Sequence, residues 1–219
     1  YTIRLMRRYD IYHYHFGCSL LPLALDAHLN NFFGRKSLVE FWGSDIRIPD
    51  IEEARNQYYP GADHYNESRK NAERKMKRWS QLTGGVAIIG DHSFNEQLFE
   101  HYTTIYNVGQ RMDVKEIDPH YPDPQEKCPV IVHAPSHQGV KGSNKIEAAL
   151  EELKVQGFSF KYIRATGLSH ADAMDVYKTA DLIIDQLRLG THGVFACEAM
   201  ALGKPVVCYI MDSLRSGYP

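Results

Sequence analysis

The sequence predicts a doubly wound α/β fold with open parallel sheets. Short apolar runs alternate with segments of helical composition along the chain, which is the order of parallel strands joined by crossover helices. Several of these runs end in turns that contain glycine, at the positions where such sheets bind ligands. The length of 219 residues suffices for one large domain or two small ones. A stretch with three prolines, residues 118–127, is the best linker candidate.

The composition is that of an ordinary globular protein, with 43% hydrophobic and 24% charged residues. A formal net charge of -2 argues against a nucleic-acid binder that relies on overall charge. No apolar run approaches the roughly 18 residues of a membrane-spanning helix. The four cysteines form no C-x-x-C pair, which favours reduced thiols in a cytoplasmic protein.

The first predicted strand is the aromatic run 9–16, which ends at Gly17. Its alternation places Ile11, His13 and His15 on one face and the aromatic side chains on the other. Two histidines at positions i and i+2 could ligate a metal. Because no third ligand pattern accompanies them in the sequence, a partly buried strand end is the preferred interpretation, and no metal site is predicted.

Three further runs predict strands in the first half of the chain. Residues 37–42 lead into the turn Gly43-Ser44-Asp45. Residues 85–90 form a buried run, and a helix is expected to begin shortly after it at Phe94. Residues 104–107 are a weaker strand candidate.

Residues 68–82 predict an amphipathic helix, since Ala72, Met76 and Trp79 recur at helical spacing. Six basic residues decorate the rest of its surface: Arg69, Lys70, Arg74, Lys75, Lys77 and Arg78. A solvated helix packed by its apolar stripe is the preferred interpretation. The alternative is peripheral contact of 68–82 with an anionic membrane surface.

The second half of the chain continues the alternation of strands and helices. Strands are predicted at 129–132, 158–163, 181–187 and 206–210. Helices are predicted between them, ending near residue 156 and spanning 171–179 and 194–202. The segment 134–142 is expected to be a loop. Gly203 follows the last helix, where a left-handed cap is expected.

The loop 190–193 joins the strand 181–187 to the helix 194–202. The N-terminus of such a helix is a ready site for an anion, because its first backbone N–H groups lack partners within the helix. Glu198 lies about one turn into this helix. A glycine loop at this position either binds phosphate or only permits a tight turn, and the loop alone leaves both interpretations open.

Residues 190–207 carry a more specific pattern. They read G-x-x-G-x-x-x-x-E-A-M-A-x-G-K-P-V-V, which resembles the donor-site signature of family-4 retaining glycosyltransferases. A second match is Lys141-Gly142, which resembles the family's K-G pair, whose lysine contacts the donor diphosphate.

The resemblance implies the GT-B fold, in which two Rossmann-like domains face each other across a cleft. On that basis residues 1–117 are part of an acceptor-side domain, 118–127 are the linker, and 128–219 are part of a nucleotide-sugar-binding domain. It also implies that the chain is incomplete at both ends, without the opening strand of the first domain and the closing helices of the second.

The resemblance also implies a set of site residues. The donor site would comprise Ser136, Gly139, Lys141, Gly142, Gly190, Thr191, His192, Gly193, Val194 and Glu198. Lys141 and Glu198 are the candidate catalytic residues, with Lys141 at the diphosphate and Glu198 at the nucleotide ribose. The acceptor side would comprise His15, Trp42, Gly43 and Asp45.

Three positions depart from the family's pattern. Ser136 stands where the family often has an arginine, and Gly190 stands where it has the first of two glutamates. Trp42 stands where it has a histidine near the reacting sugar, so the indole either stacks on a sugar or fills the core.

The implied activity is transfer of a sugar from a nucleoside diphosphate sugar to an unknown carbohydrate, lipid-linked or small-molecule acceptor, with retention of configuration. No D-x-D pattern is present, so no divalent metal or other cofactor is expected. The expected location is the cytoplasm, with or without peripheral contact with the inner face of the membrane. Two alternatives stay open: a sugar-nucleotide 2-epimerase of the same fold, and a non-catalytic scaffold or binding subunit.

Overall fold

The computed structural model describes residues 8–61, 68–90, 98 and 100–217. They form two compact units: the described parts of Tyr1–Glu52 with Tyr65–Gln110, and those of Glu53–His64 with Arg111–Pro219. Each unit contains a parallel sheet of four strands, so the predicted mixed α/β class with two Rossmann-like sheets is confirmed at this level. The start of the helix predicted at Phe94 lies outside the described residues.

The division of the chain differs from the predicted domains 1–117 and 128–219. The boundary between the units falls between residues 110 and 111, and the segment 53–64 belongs with the second unit. Backbone and side-chain hydrogen bonds to Arg188 attach this segment, as described below. Such a contact across more than a hundred residues leaves no local pattern in the sequence.

The sheet of the first unit has the order β1-β2-β3-β4. Its strands are β1 (Ile11–His15), β2 (Lys36–Phe41), β3 (Val86–Ile89) and β4 (Thr104–Asn107). All four predicted strands are confirmed, with ends that shift by two residues at most. The predicted alternation in β1 is confirmed as well, since Tyr14 is buried while Ile11, His13 and His15 are exposed on the opposite face.

Within the described residues, this half of the chain contains the helices α1 (Leu25–Phe32), α2 (Pro49–Arg55) and α3 (Arg69–Leu82). The helix α3 matches its prediction, because Ser68 caps its N-terminus and Ala72, Met76 and Trp79 are buried in the core of the first unit. In the part of the chain that the structure describes, no helix has both the length and the apolar character needed to cross a bilayer.

The sheet of the second unit has the order β6-β5-β7-β8. Its strands are β5 (Val130–His133), β6 (Lys161–Arg164), β7 (Leu182–Ile184) and β8 (Val206–Val207). The chain passes from β5 to β6 on one side and then to β7 on the other side of β5. The gap between β5 and β7 is therefore a topological switch point, where open parallel sheets bind ligands at the carboxyl ends of their strands.

Three strands of this sheet are shorter than predicted. β6 begins at Lys161 rather than at residue 158, because the N–H of Phe158 donates to the carbonyl of Leu153 and closes the preceding helix. β7 ends at Ile184 rather than at residue 187, since the residues that follow leave the sheet to form the polar cluster described below. β8 ends at Val207 rather than at residue 210.

The α-helices that the structure describes in the rest of the second unit are α4 (Gln138–Lys141), α5 (Ser143–Val155), α6 (His170–Lys178) and α7 (Val194–Ala201). Residues of α5 pack on one face of the sheet, and residues of α6 and α7 pack on the other, as expected for a doubly wound unit. The predicted loop 134–142 contains the one-turn helix α4, because the ring of His137 accepts the N–H of Val140 and caps it. Gly203 has a φ of 75°, which confirms the predicted left-handed cap.

Candidate anion-binding site

The carboxyl ends of β5 and β7 carry a group of polar atoms that belongs in part to two of the predicted donor residues, Lys141 and Gly193. The helix α4 follows β5, and the loop before α7 follows β7, so both connections meet at the switch point of the sheet. The group that forms there, the Lys141 cluster, consists of Lys141, Asp185, Gln186 and Gly193.

Lys141 supplies the positive charge of the cluster. Its Nζ lies 3.3 Å from Oδ1 of Asp185 and donates to Oε1 of Gln186 at 2.5 Å. The backbone also holds it, since the N–H of Leu187 donates to the carbonyl of Lys141 at 3.1 Å. Only 14% of the Lys141 side chain is exposed, and only 1% of that of Asp185. In a site shielded from water to this degree, the ammonium and the carboxylate attract each other more strongly than two surface charges do.

Asp185 connects Lys141 to the start of α7. Its Oδ2 accepts the N–H of Gly193, the N-cap residue of that helix, at 2.6 Å. The carboxylate thus lies between an ammonium group and a helix N-terminus, two groups that both favour an anion. The sequence analysis missed Asp185 and Gln186. The available signal was the polar pair Asp185-Gln186 between apolar residues of the run 181–187.

Position 193 has no room for a side chain, which explains why it is glycine. Its φ of -101° is accessible to any residue. A Cβ at this position would lie 2.9 Å from Nζ of Lys141 and 3.2 Å and 3.3 Å from the two carboxylate oxygens of Asp185. The lack of a side chain therefore lets the ion pair approach the helix terminus.

Gly190 is glycine for reasons of both space and conformation. Its φ is 77°, and a Cβ would lie 2.3 Å from Cγ of Met211. The glutamate that the resembled family has at this position therefore does not fit this backbone unless Met211 moves. In the same loop, the carbonyl of Thr191 accepts hydrogen bonds from Nε2 of Gln186 and from Sγ of Cys208.

Two titratable side chains beneath the cluster are structural. His133 is fully buried at the end of β5, where its ring nitrogens contact the carbonyl of Ile184 at 2.7 Å and Oγ of Ser143 at 2.8 Å. Burial lowers the pKa of His133. Burial and the carboxylate of Asp185 raise the pKa of Cys208 to about 12, so its thiol stays protonated near neutral pH.

Glu198 lies on α7 and pairs with a residue at the start of α6. Its Oε1 is 2.8 Å from Nε2 of His170. The side chain of Glu198 is 14% exposed, whereas that of His170 is 75% exposed. The structure therefore places the two candidate catalytic residues in different groups, with Lys141 in the cluster and Glu198 against His170.

The other predicted donor residues lie in the loops that carry the cluster. Ser136 is exposed in the segment before α4, and Val194 is 45% exposed at the start of α7. His192 is half-buried in the loop before Gly193. Gly142 has a φ of 82° and separates α4 from α5.

Arg188 forms hydrogen bonds that hold α4 and the segment 53–64 in place. Its role was not predicted from the sequence. Its guanidinium donates to the carbonyl of Gly139 at 2.9 Å and to those of Tyr58 and Tyr59 at 3.1 Å and 3.3 Å. The side-chain amide of Asn56 donates back to the carbonyl of Arg188 at 2.7 Å. One residue next to the cluster thus binds both the predicted donor loop and the segment 53–64.

Three predicted acceptor-side residues form one turn in the first unit. Oδ1 of Asp45 accepts the N–H groups of Trp42 and Gly43 at 3.0 Å and 2.8 Å, which fixes the turn after β2. Burial raises the pKa of Asp45. The half-buried indole of Trp42 stacks on Phe16 at a centroid distance of 6.3 Å, and its ring lies 3.6 Å from the position that a Cβ on Gly90 would take. Its packing favours the interpretation that Trp42 fills space in this unit.

The fourth acceptor-side residue, His15, belongs to a separate cluster. The sequence shows no third ligand beside His13 and His15, but in the structure Glu40 on the neighbouring strand points its carboxylate at both rings. Glu40 stands opposite His15 in the register of β1 and β2. The pairing of two strands, which the sequence pattern does not specify, brings this carboxylate to the histidines.

Comparison with known proteins adds little to this geometry. No protein-family model matches the sequence. No curated protein matches it either. A crystal structure of accessory secretory protein 1,2 and 3 in Streptococcus pneumoniae is similar with a TM-score of 0.46 and 11% identity, over 93% of this chain and 42% of that chain. The chain thus spans less than half the length of that structure.

Proposed function

We propose that the Lys141 cluster binds the diphosphate of a nucleoside diphosphate sugar, and that the protein transfers the sugar with retention of configuration to a carbohydrate, lipid-linked or small-molecule acceptor. One observation carries the proposal: the ammonium of Lys141 and the N–H of Gly193 converge on a single carboxylate, that of Asp185. Two donors that bind the carboxylate oxygens of Asp185 are also suited to bind the oxygens of a phosphate group.

The chemistry of sugar transfer needs such a site. When a glycosidic bond to a diphosphate breaks, negative charge grows on the leaving group, and positioned donors that meet this charge lower the barrier. Lys141 would supply the cation and the start of α7 the backbone N–H groups. For the diphosphate to bind, the carboxylate of Asp185 has to give up or share these donors.

The remaining roles follow the pattern of the resembled family. Glu198, on the same helix as Gly193, would accept hydrogen bonds from the ribose hydroxyls. Its present partner, His170, is well exposed and free to turn away when a nucleotide binds. The loops that carry Ser136, Gly139, Thr191, His192 and Val194 would surround the rest of the donor. His15, Trp42, Gly43 and Asp45 would lie on the acceptor side.

A second candidate is a binding subunit without catalytic activity. The position of Asp185 favours it, since this carboxylate already neutralises Lys141 and occupies the N–H of Gly193. The steric restriction at Gly190 favours it as well, because the family's first glutamate has no room there.

An assay with UDP-, GDP- and ADP-sugars separates the candidates. Slow release of free sugar and nucleoside diphosphate is the result expected of a transferase without its acceptor. Binding of a sugar nucleotide without any turnover supports the binding subunit, and an epimerised sugar supports a 2-epimerase. If calorimetry detects no binding of any of these compounds, the proposed donor site is refuted.

The variant Glu198→Gln tests the ribose contact. We expect affinity for nucleoside monophosphate and for sugar nucleotide to fall equally, by about tenfold or more, because a hydrogen bond to a charged acceptor contributes roughly 1.5–3 kcal/mol. The matched control is His170→Ala, which removes the partner that Glu198 has in the free protein. Equal losses in both variants, measured by titration calorimetry, would mean that Glu198 only holds His170.

Chelation tests how the diphosphate is neutralised. We expect nucleoside diphosphate affinity to be the same in EDTA and in millimolar magnesium, since Lys141 and the N-terminus of α7 supply the positive charge. The measurement is titration calorimetry in both buffers. A loss of affinity in EDTA that magnesium or manganese restores would contradict this view of the site.

A further inference from the structure

Three side chains in the first unit converge on one face of its sheet. His13 and His15 are two residues apart on β1, and Glu40 lies on the adjacent strand β2, directly opposite His15. Nε2 of His13 is 2.8 Å from Oε2 of Glu40, and Nδ1 of His15 is 3.5 Å from the same oxygen. The three potential ligand atoms all lie within 4.8 Å of one another.

These distances suit a single metal ion. Zinc binds imidazole nitrogens and carboxylate oxygens at about 2.0–2.2 Å in a tetrahedron, so neighbouring ligand atoms lie roughly 3.3–3.6 Å apart. The separation of 3.5 Å falls within that range, and the separation of 2.8 Å is shorter. Because the rings of His13 and His15 are 32% and 51% exposed, small rotations can bring both nitrogens to a common ion.

The electrostatics of the cluster also favour a cation. The carboxylate of Glu40 is fully buried, and a buried carboxylate is stable only when charges or hydrogen bonds compensate it. A divalent ion bound between Glu40 and the histidines would compensate that charge directly. The strands hold the cluster firmly, because β2 is an inner strand of the sheet that pairs with β1 and β3.

We propose that His13, His15 and Glu40 form a binding site for a divalent transition metal, with zinc as the best fit to two imidazoles and one carboxylate. Three protein ligands leave the fourth coordination position of the metal open. This position would face solvent, because both histidines are exposed. Such an open position accepts water or an anionic or carbonyl oxygen of a ligand. This proposal is independent of the Lys141 cluster and of the donor chemistry assigned to it.

Titration of the full chain, freed of any polyhistidine tag and of bound metal, tests the site. We expect Zn²⁺ to bind with a stoichiometry of one per chain, and Co²⁺ to give the visible absorption of a tetrahedral N/O site. The matched control is His28→Ala, which removes an exposed histidine of α1 in the same unit. Zinc binding in this variant should equal that of the unmodified chain.

Three variants locate the ligands. His13→Ala and His15→Ala change exposed side chains and should fold, which circular dichroism checks, and each should weaken zinc affinity tenfold or more. Glu40→Gln should weaken zinc affinity to a similar degree. If Glu40→Gln does not fold, the two histidine variants alone test the site. Unchanged zinc affinity in the histidine variants would overturn the proposal, as would the absence of binding in the unmodified chain. A loss of binding confined to Cys18→Ser, which removes the exposed thiol after β1, would overturn it too.

Discussion

Lys141→Ala should weaken the binding of a nucleoside diphosphate by roughly ten- to a hundredfold, because a hydrogen bond between charged partners contributes about 1.5–3 kcal/mol. The affinity of the corresponding nucleoside, which carries no phosphate, should stay unchanged. Turnover of the sugar nucleotide should also fall, since the contact strengthens as charge develops on the leaving group. Titration calorimetry and a sugar-release assay measure the two effects.

The matched control is Lys145→Ala, which removes an exposed lysine of α5 and should leave all affinities unchanged. A loss of nucleoside affinity equal to that of the diphosphate would show that Lys141→Ala damages the fold rather than a phosphate contact. Unchanged diphosphate affinity in a folded Lys141→Ala variant would contradict the assignment of the Lys141 cluster to the donor diphosphate.

Asp185→Asn should have the opposite effect on the same ligand. The asparagine keeps the shape of the side chain but removes the negative charge beside Lys141 and Gly193, so diphosphate affinity should rise by roughly tenfold. The free variant should be less stable, since Lys141 loses its anionic partner, and the ligand should then raise the unfolding temperature more than it does in the unmodified chain. Weaker diphosphate binding in a folded variant would mean that Asp185 assists the ligand instead of competing with it.

Gly190→Ala should lower the free energy of unfolding by roughly 2–5 kcal/mol. The left-handed backbone costs a side chain about 1–2 kcal/mol, and forcing a Cβ against a packed neighbour costs a further 1–3 kcal/mol. Here the neighbour is Met211, whose Cγ would lie 2.3 Å from the new Cβ. Chemical denaturation of the full chain measures the change.

The matched control is Gly167→Ala in the same unit. Gly167 has a φ of 71°, close to the 77° of Gly190, but nothing lies within 4 Å of its Cβ position. This variant should therefore show only the backbone part of the effect, about 1–2 kcal/mol. Equal destabilisation by the two substitutions would mean that Met211 gives way without cost and that the family's glutamate is not excluded by packing.

Features that arise within one short segment were predictable from the sequence. The buried stripe of α3 follows from helical spacing, and the faces of β1 follow from strict alternation. The ends of helices obey local rules too, as Ser68 and Gly203 illustrate. Lys141 and Gly193 were recognisable because each belongs to a short motif.

Features that join distant segments depended on the packed structure. Asp185 meets Lys141 across 44 residues, and Glu40 meets His15 because two strands pair in one register. Arg188 holds Tyr58 across 130 residues, which assigns the segment 53–64 to the second unit. Spacing along the chain encodes the conformation of a segment and the face that it buries. Which segments then lie side by side depends on how all of those faces are buried together, and no single stretch of sequence specifies that.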